Sequence, residues 1–386
     1  MVPIELIWLL ALPYGKEEPA EKTISSPRIC TKNHQSAANG GSSLEKSGIR
    51  ETGWLFYILM ISHIVTDGIC VLTANFATGA WVAIFVSGLV SLGIFFLLEK
   101  FINDPGVNME NVLGSKVYVF LSLLLFIITV FNAAERMKIF SYPIGEIVLC
   151  RSPGIFILFI MALASFAVAF TGIEAITRYS VIASGFFFVC IGVLVLTNIS
   201  DAGLINIYPI GGKNGLINPF SGIKIFSDAV YFFFLKDHLK NNSKTRYPLS
   251  KVIIRVALTG VVICFFYSLC VPYPASGIYK YPLYRLAVLA NSSVVFQRLD
   301  GVVYLIWVFF SFISSGTLAL FAITVLADSL KIKNRKALCP AVVLLCFLLS
   351  LSRQNTGFMG SFAVSIFSFV LFPGAILWSR LRRKKI

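Results

Sequence analysis

The sequence predicts an all-α membrane protein of about ten transmembrane helices, built as a 5+5 inverted repeat with helices one and six unwound. Three observations predict it. Hydrophobic residues make up 57% of the 386-residue chain and charged residues 13%, with a mean hydropathy of +0.83, against roughly 25% charged in a soluble domain. Apolar segments of membrane-crossing character recur along the chain with polar connections between them. The first and the sixth of these are the two that polar residues break, and in a ten-span chain they are the equivalent positions of two five-span halves.

Span one is read at 54–76, with His63, Thr66, Asp67 and Gly68 in mid-stretch. Spans two to five follow near 79–98, 117–134, 153–171 and 179–198. Span six, 225–235 with flanking residues, holds Asp228 and is about half of the roughly 20 residues that a crossing needs. Spans seven to ten are read near 252–271, 302–327, 338–351 and 358–378; the ninth is short and either tilts inward or extends past Leu351. Ahead of this ten-span domain (51–386), residues 1–50 are expected to form a disordered cytoplasmic tail. Residues 4–12 are apolar but contain Glu5, have no basic leader and are too short to span, and Lys16 to Arg50 is rich in Ser, Gly, Lys and Glu without periodicity.

Charge sets the expected orientation. With the N-terminus cytoplasmic, the inner segments and adjoining turns hold 24 of the 33 Lys and Arg and the outer loops 9, which places both termini inside. The net charge of +15 is therefore a topology signal and a contact with anionic lipid. The basic clusters all adjoin spans, and none is interleaved with an exposed aromatic ladder, so nucleic acid is not an expected partner. Of eight cysteines, Cys70, Cys190, Cys264, Cys270 and Cys346 lie within spans, and no C-x-x-C occurs. With His34, His63 and His238 scattered as well, no disulfide scaffold, metal site or cofactor is expected.

At 281–307 the run YPLYRLAVLANSSVVFQRLDGVVYLIW places Pro282 and Arg285 before a helix, then Arg298, Asp300 and Trp307. GIEAITRYS at 172–180 brings Gly172, Glu174 and Arg178, and ICVLTANFATGAWVAIFVSG at 69–88 brings Trp81. Together these blocks resemble the B-subunit family of spore germinant receptors, the spore germination permeases, over roughly residues 50–386. The chain differs in having Gln297 before Arg298, Thr73 late in span one, and Gly79 and Ala80 before Trp81. The resemblance implies a fold like that of the amino acid–polyamine–organocation transporters. It also implies a small nutrient, often an amino acid, bound in the spore's inner membrane, and action alongside a larger membrane A subunit and a lipoprotein C subunit.

A broken helix leaves N–H groups free at one half-helix start and carbonyls at the other half's end; the first suits a carboxylate and the second an ammonium, so a zwitterion completes both. Thr66, Gly68 and Ile69 are accordingly expected to supply backbone contacts, facing Ser227, Asp228 and Tyr231, with Trp307 as a wall. Gly68 serves either an unwound backbone or close helix packing, and Trp307 either binds or packs. His63 and Asp67, four apart on one face, form a proton-coupling pair or neutralise each other. Asp228 binds a substrate amine or sits at the outer water interface. Glu174 and Arg178 are spaced for an ion pair, and Arg298 and Asp300 are expected to lock the outer connection between spans seven and eight.

These readings leave a nutrient sensor, read by partner subunits, ahead of a proton- or sodium-coupled amino acid transporter. A membrane-embedded enzyme ranks last, for the chain has no G-x-S-x-G, H-E-x-x-H or P-loop motif.

Overall fold

Span one starts at the glycine-flanked Ile49 and stays helical to its end. In the computed structural model, which describes residues 47–102, 109–210, 219–236, 239–240, 247–273, 275–290, 299–352 and 356–383, helix α1 (Ile49–His63) runs into a π turn, Ile64–Gly68, and on into α2 (Ile69–Phe76). Both joints keep right-handed helical dihedrals, φ −66° and ψ −48° at Ile64 and φ −62° and ψ −48° at Gly68. The expected unwound stretch is thus a widened turn, in which the Ile69 N–H reaches the Ile64 carbonyl. The winding breaks only at Ala77 (φ 47°, ψ −117°), after which α3 (Ala80–Ile102) begins.

Span six departs from α-helical winding in the opposite sense. Pro219–Val230 is a 3-10 helix of 12 residues, far beyond the usual few, and only Tyr231–Leu235 (here α8) is α-helical. It is tightened and not unwound.

Span three is longer than expected. After the short α4 (Met109–Leu113) and a turn at Gly114, α5 runs Ser115–Pro143 and continues in a π turn, Ile144–Val148. Glu135, Arg136 and Lys138, past the expected end at 134, lie inside it because each is satisfied within the fold. Arg136 pairs with Asp228, Glu135 accepts the Ser361 N–H at 2.8 Å, and Lys138 reaches the Ser352 carbonyl at 3.0 Å. Next come α6 (Gly154–Thr171) and α7 (Ile173–Thr197), joined by Gly172 alone at φ 88°, a conformation that costs little without a Cβ. Span five therefore starts six residues before its expected 179.

The rest follows the expected order: α9 (Pro248–Cys270), α10 (Pro282–Ala290), α11 (Leu299–Ser329), α12 (Cys339–Ser350), and α13 (Thr356–Ile366) leading through a π turn, Phe367–Leu371, to α14 (Phe372–Arg383). Seven helical stretches among the described residues are long and apolar enough to cross a bilayer. The one strand pairing among the described residues is a two-residue parallel bridge of Ser47–Gly48 with Leu239–Lys240.

Hydrogen bonds sort the helix ends into two groups. At one end Glu99 accepts the Leu249 and Ser250 N–H groups at 2.8 and 3.0 Å, capping α9 from α3, while Lys236 binds the Ile102 carbonyl and Arg380 that of Phe101. At the other end Thr78 bonds the Ile207 and Pro209 carbonyls, Gly203 that of Leu269, and Glu146 the 280–281 segment.

The packing partners recur with a five-span offset. Helix α3 packs on α9, α5 on α11, α6 on α12, and α1 on the 3-10 segment. Crosswise pairs match too: α1 packs on α9 as the 3-10 segment does on α3, and α1 on α7 as the 3-10 segment does on α13. Small residues allow these approaches, since a Cβ on Gly88 would lie 2.8 Å from that of Ala257 and one on Gly316 would lie 2.5 Å from Val168. Helix α11 is central, with 78% of its apolar window buried against 28% for α7, whose Ile182, Val189 and Leu196 point outward.

Candidate functional site: a buried ion pair where three irregular helices meet

Three polar side chains converge on Asp228, which is wholly buried. His63 Nε2 lies 3.0 Å from Asp228 Oδ2, Arg136 Nη2 donates to the same oxygen at 3.3 Å, and Asn132 Nδ2 donates to Oδ1 at 3.2 Å. Asn132 also reaches Tyr231 Oη at 3.5 Å. Arg136 Nη1 extends the network to Ser62 Oγ at 3.4 Å, and Ser62 to Ser314 Oγ on α11 at 3.2 Å. Spans one, three, six and eight thus meet in one polar seam.

The local winding places these groups. Asn132 and Arg136 stand four apart on α5 and share a face. His63 is the last residue before the π turn, and Gly68 closes that turn: a Cβ there would sit 2.5 Å from the His63 carbonyl oxygen. Gly68 is therefore required for space and not for an unusual φ; the same added Cβ would lie 3.8 Å from Ile225 of span six. Span six is held from a third side, since Ser368, in the π turn of span ten, donates to the Ser227 carbonyl at 2.6 Å. Three non-α windings abut at Asp228, and such windings concentrate at functional sites.

Within the seam Arg136 and Asp228 cancel in charge. In a low-dielectric interior neither tolerates losing the other, because an isolated buried charge costs several kcal/mol. The Asn132 Oδ1 atom is buried with no partner, so the seam holds one spare acceptor.

His63 pairs with Asp228 across spans, at 3.0 Å; the side chain of Asp67, its expected partner, lies outside the described residues, as do Arg298 and residues 1–46 with the expected tail. Asp228 is in the interior, not at the outer water interface. The Thr66 and Ser227 hydroxyls are spent on their own helices, bonding the Ser62 and Lys224 carbonyls, and Ile69 is buried in packing. Trp307, the expected wall, lies with Phe140, Pro143, Ile144, Tyr304, Val308 and Ser311 where α5 and its π turn meet α11. Glu174 and Arg178 pair at 2.5 Å on the exposed start of α7, and Asp300 lies in the first turn of α11. Arg285 stacks over Tyr279 at 4.7 Å.

Asn132 and Arg136 are the residues of the candidate site that sequence reasoning missed. The signal was present: the apolar run FIITVF resumes as MKIFSY after NAAER, so the charged residues interrupt a helix without ending it.

At the π turn that follows α5 a second cluster clasps it to the 279–281 segment. Glu146 pairs with Lys280 and accepts the Tyr281 hydroxyl at 2.8 Å, and the Tyr281 ring packs edge-on against Trp307, centroids 5.2 Å apart. Burial, together with the neighbouring Glu146 carboxylate, pushes the Tyr281 phenol above its ordinary range, so it stays a donor to Glu146.

A family model described as spore germination protein matches residues 53–359 of the chain. No curated protein matches it.

Proposed function

The chain belongs to the spore germination protein family, and on that premise we propose that it is a permease-like germinant receptor subunit that binds a small zwitterionic nutrient, an amino acid, at the Arg136–Asp228 pair. The observation that carries this reading is a charge-balanced ion pair buried where three irregularly wound helices abut. The ligand's carboxylate takes the Arg136 guanidinium and its ammonium takes Asp228. The Arg136 and Asp228 charges are each matched before and after, and neither is left alone. A neutral sugar or a single ion entering the same place would separate the pair without completing both halves. Binding then favours the conformation in which the pair is parted, and the shift is bounded by the ligand's differential affinity for the two conformations.

The recurrent packing pairs support ten crossings in two five-span halves, with spans one and six as the equivalent irregular elements. The positive-inside bias supports cytoplasmic termini in the spore's inner membrane, and it strengthens once Arg136 and Lys138, two of the nine outer charges, are assigned to α5. A larger A subunit and a C lipoprotein are the proposed partners that read the shift.

The test is germination of spores whose only copy of this protein carries Arg136→Gln, with its membrane level verified. Amino-acid-triggered germination should fall at least tenfold; a wild-type dose response at equal protein level rejects the site. Labelled amino acid accumulating in proteoliposomes of this chain alone would instead favour a coupled carrier.

A further inference from the structure

Helices α1 and α9 run side by side and parallel from the end at which Glu99 caps α9. A Cβ on Gly53 would lie 3.5 Å from Val252, Tyr57 Oη donates to Thr259 Oγ1 at 3.2 Å, and Ile64 lies 2.6 Å from where a Cβ on Gly260 would stand. Arg255 is about 10 Å along α9 from Pro248, and Ile254, Leu258 and Val262 around it are exposed apolar residues, so this face of the span meets acyl chains. A charge there is costly unless something answers it. Among the described residues Arg255 forms no ion pair; its guanidinium lies over the Trp54 ring, 5.0 Å from the centroid. Trp54 is itself fixed, edge-on to Tyr57 at 5.6 Å and to Phe188 of α7 at 6.3 Å. One turn nearer the Glu99 end, Arg50 precedes Trp54 and Lys251 precedes Arg255 by four residues, on the same helix faces; both are exposed and in no ion pair among the described residues. Helical side chains lean towards the N-terminus, so Arg255 is directed back towards these two cations and the headgroup level. The neighbouring Glu51 folds towards Gly48, where an added Cβ would lie 3.6 Å from its carboxyl group.

We propose that Arg50, Lys251 and Arg255 bind the headgroup phosphate of one anionic phospholipid, whose acyl chains lie along Leu258, Val262 and the Phe188 ring. Three cations without a countering carboxylate complement a headgroup of net negative charge, whereas a choline headgroup brings a fourth cation to the same place. The stack on Trp54 holds the Arg255 guanidinium in position before the lipid arrives. The site is distinct from the Asp228 seam, since Trp54 stands about 13 Å along α1 from His63, and it does not depend on the amino acid reading.

The test places the full chain in phosphatidylcholine bilayers that contain a varied fraction of brominated phosphatidylglycerol or, in parallel, of brominated phosphatidylcholine with the same acyl chains. Bromine quenches tryptophan fluorescence on contact; the chain has five tryptophans, and the share due to Trp54 is what Trp54→Phe removes. Quenching of Trp54 should half-saturate at a roughly tenfold lower fraction of phosphatidylglycerol than of phosphatidylcholine, and Arg255→Gln should lower that preference by roughly fivefold. Lys251→Gln, at an exposed position, should act in the same direction and keeps the test open if Arg255→Gln fails to fold. Lys116→Gln, which removes an exposed cation from the start of α5, should leave the preference unchanged. Equal quenching by the two lipids, or a preference that survives both the Arg255 and the Lys251 change, overturns the proposal. So does an equal loss in Lys116→Gln, which would assign the preference to the overall positive surface.

Discussion

Asp228, Arg136 and His63 form a set in which each member's cost depends on the others. Removing one partner strands a buried charge, so Asp228→Ala or Arg136→Ala should each lower stability by about 3–5 kcal/mol, whereas replacing both with apolar residues of similar size should recover most of it. Thermal unfolding of purified single and double variants checks this; additive losses would mean that the pair is not coupled. Gly68 is a sharper probe of the winding. Gly68→Ala drives a Cβ to 2.5 Å from the His63 carbonyl, so it should destabilise by about 1–3 kcal/mol, where alanine in an ordinary helix would stabilise. At this scale the sequence showed that His63, Gly68 and Asp228 stand out from their apolar surroundings. It did not show that His63 meets Asp228, because two distant helices abut there and no local spacing encodes that.

The elements were more legible than the contacts. Helix starts at Gly154, Pro248 and Cys339 lie within a few residues of expectation, because glycine, proline and hydropathy steps mark them locally. Span three was cut short at 134 for a physical reason: charged residues inside a bilayer read as its edge unless their partners are known, and Ser361, Ser352 and Asp228 lie on other helices. The windings of spans one and six were legible as irregularity and not as kind, since breaking residues signal a departure from α winding without its sense, and the π turns at Ile144–Val148 and Phe367–Leu371 were not expected. Two changes test how elements are joined. Gly172→Val, which forces a β-branched residue to φ 88°, should cost at least about 1 kcal/mol and weaken the α6–α7 junction, as read by proteolysis there. Glu99→Ala removes the carboxylate cap from α9 and should cost about 1–3 kcal/mol, whereas Glu99→Gln, which keeps one of the two acceptor oxygens, should cost less; a Gln variant as weak as Ala would reject the capping role.

For the whole molecule, composition and the apolar segments announced an all-helical membrane protein, and the family model accounts for residues 53–359. The seam at Asp228 ties these together, because a closed ion pair at the junction of the two proposed halves makes occupancy and conformation one equilibrium. The most direct measurement is equilibrium binding of labelled amino acids to the purified, reconstituted chain, with each competed by its own methyl ester and N-acetyl derivative. The account predicts saturable binding of a zwitterion, poor competition from both derivatives, and loss of binding in Arg136→Gln with the fold intact. Binding that persists in that variant, or that the methyl ester displaces as well as the parent does, would contradict it.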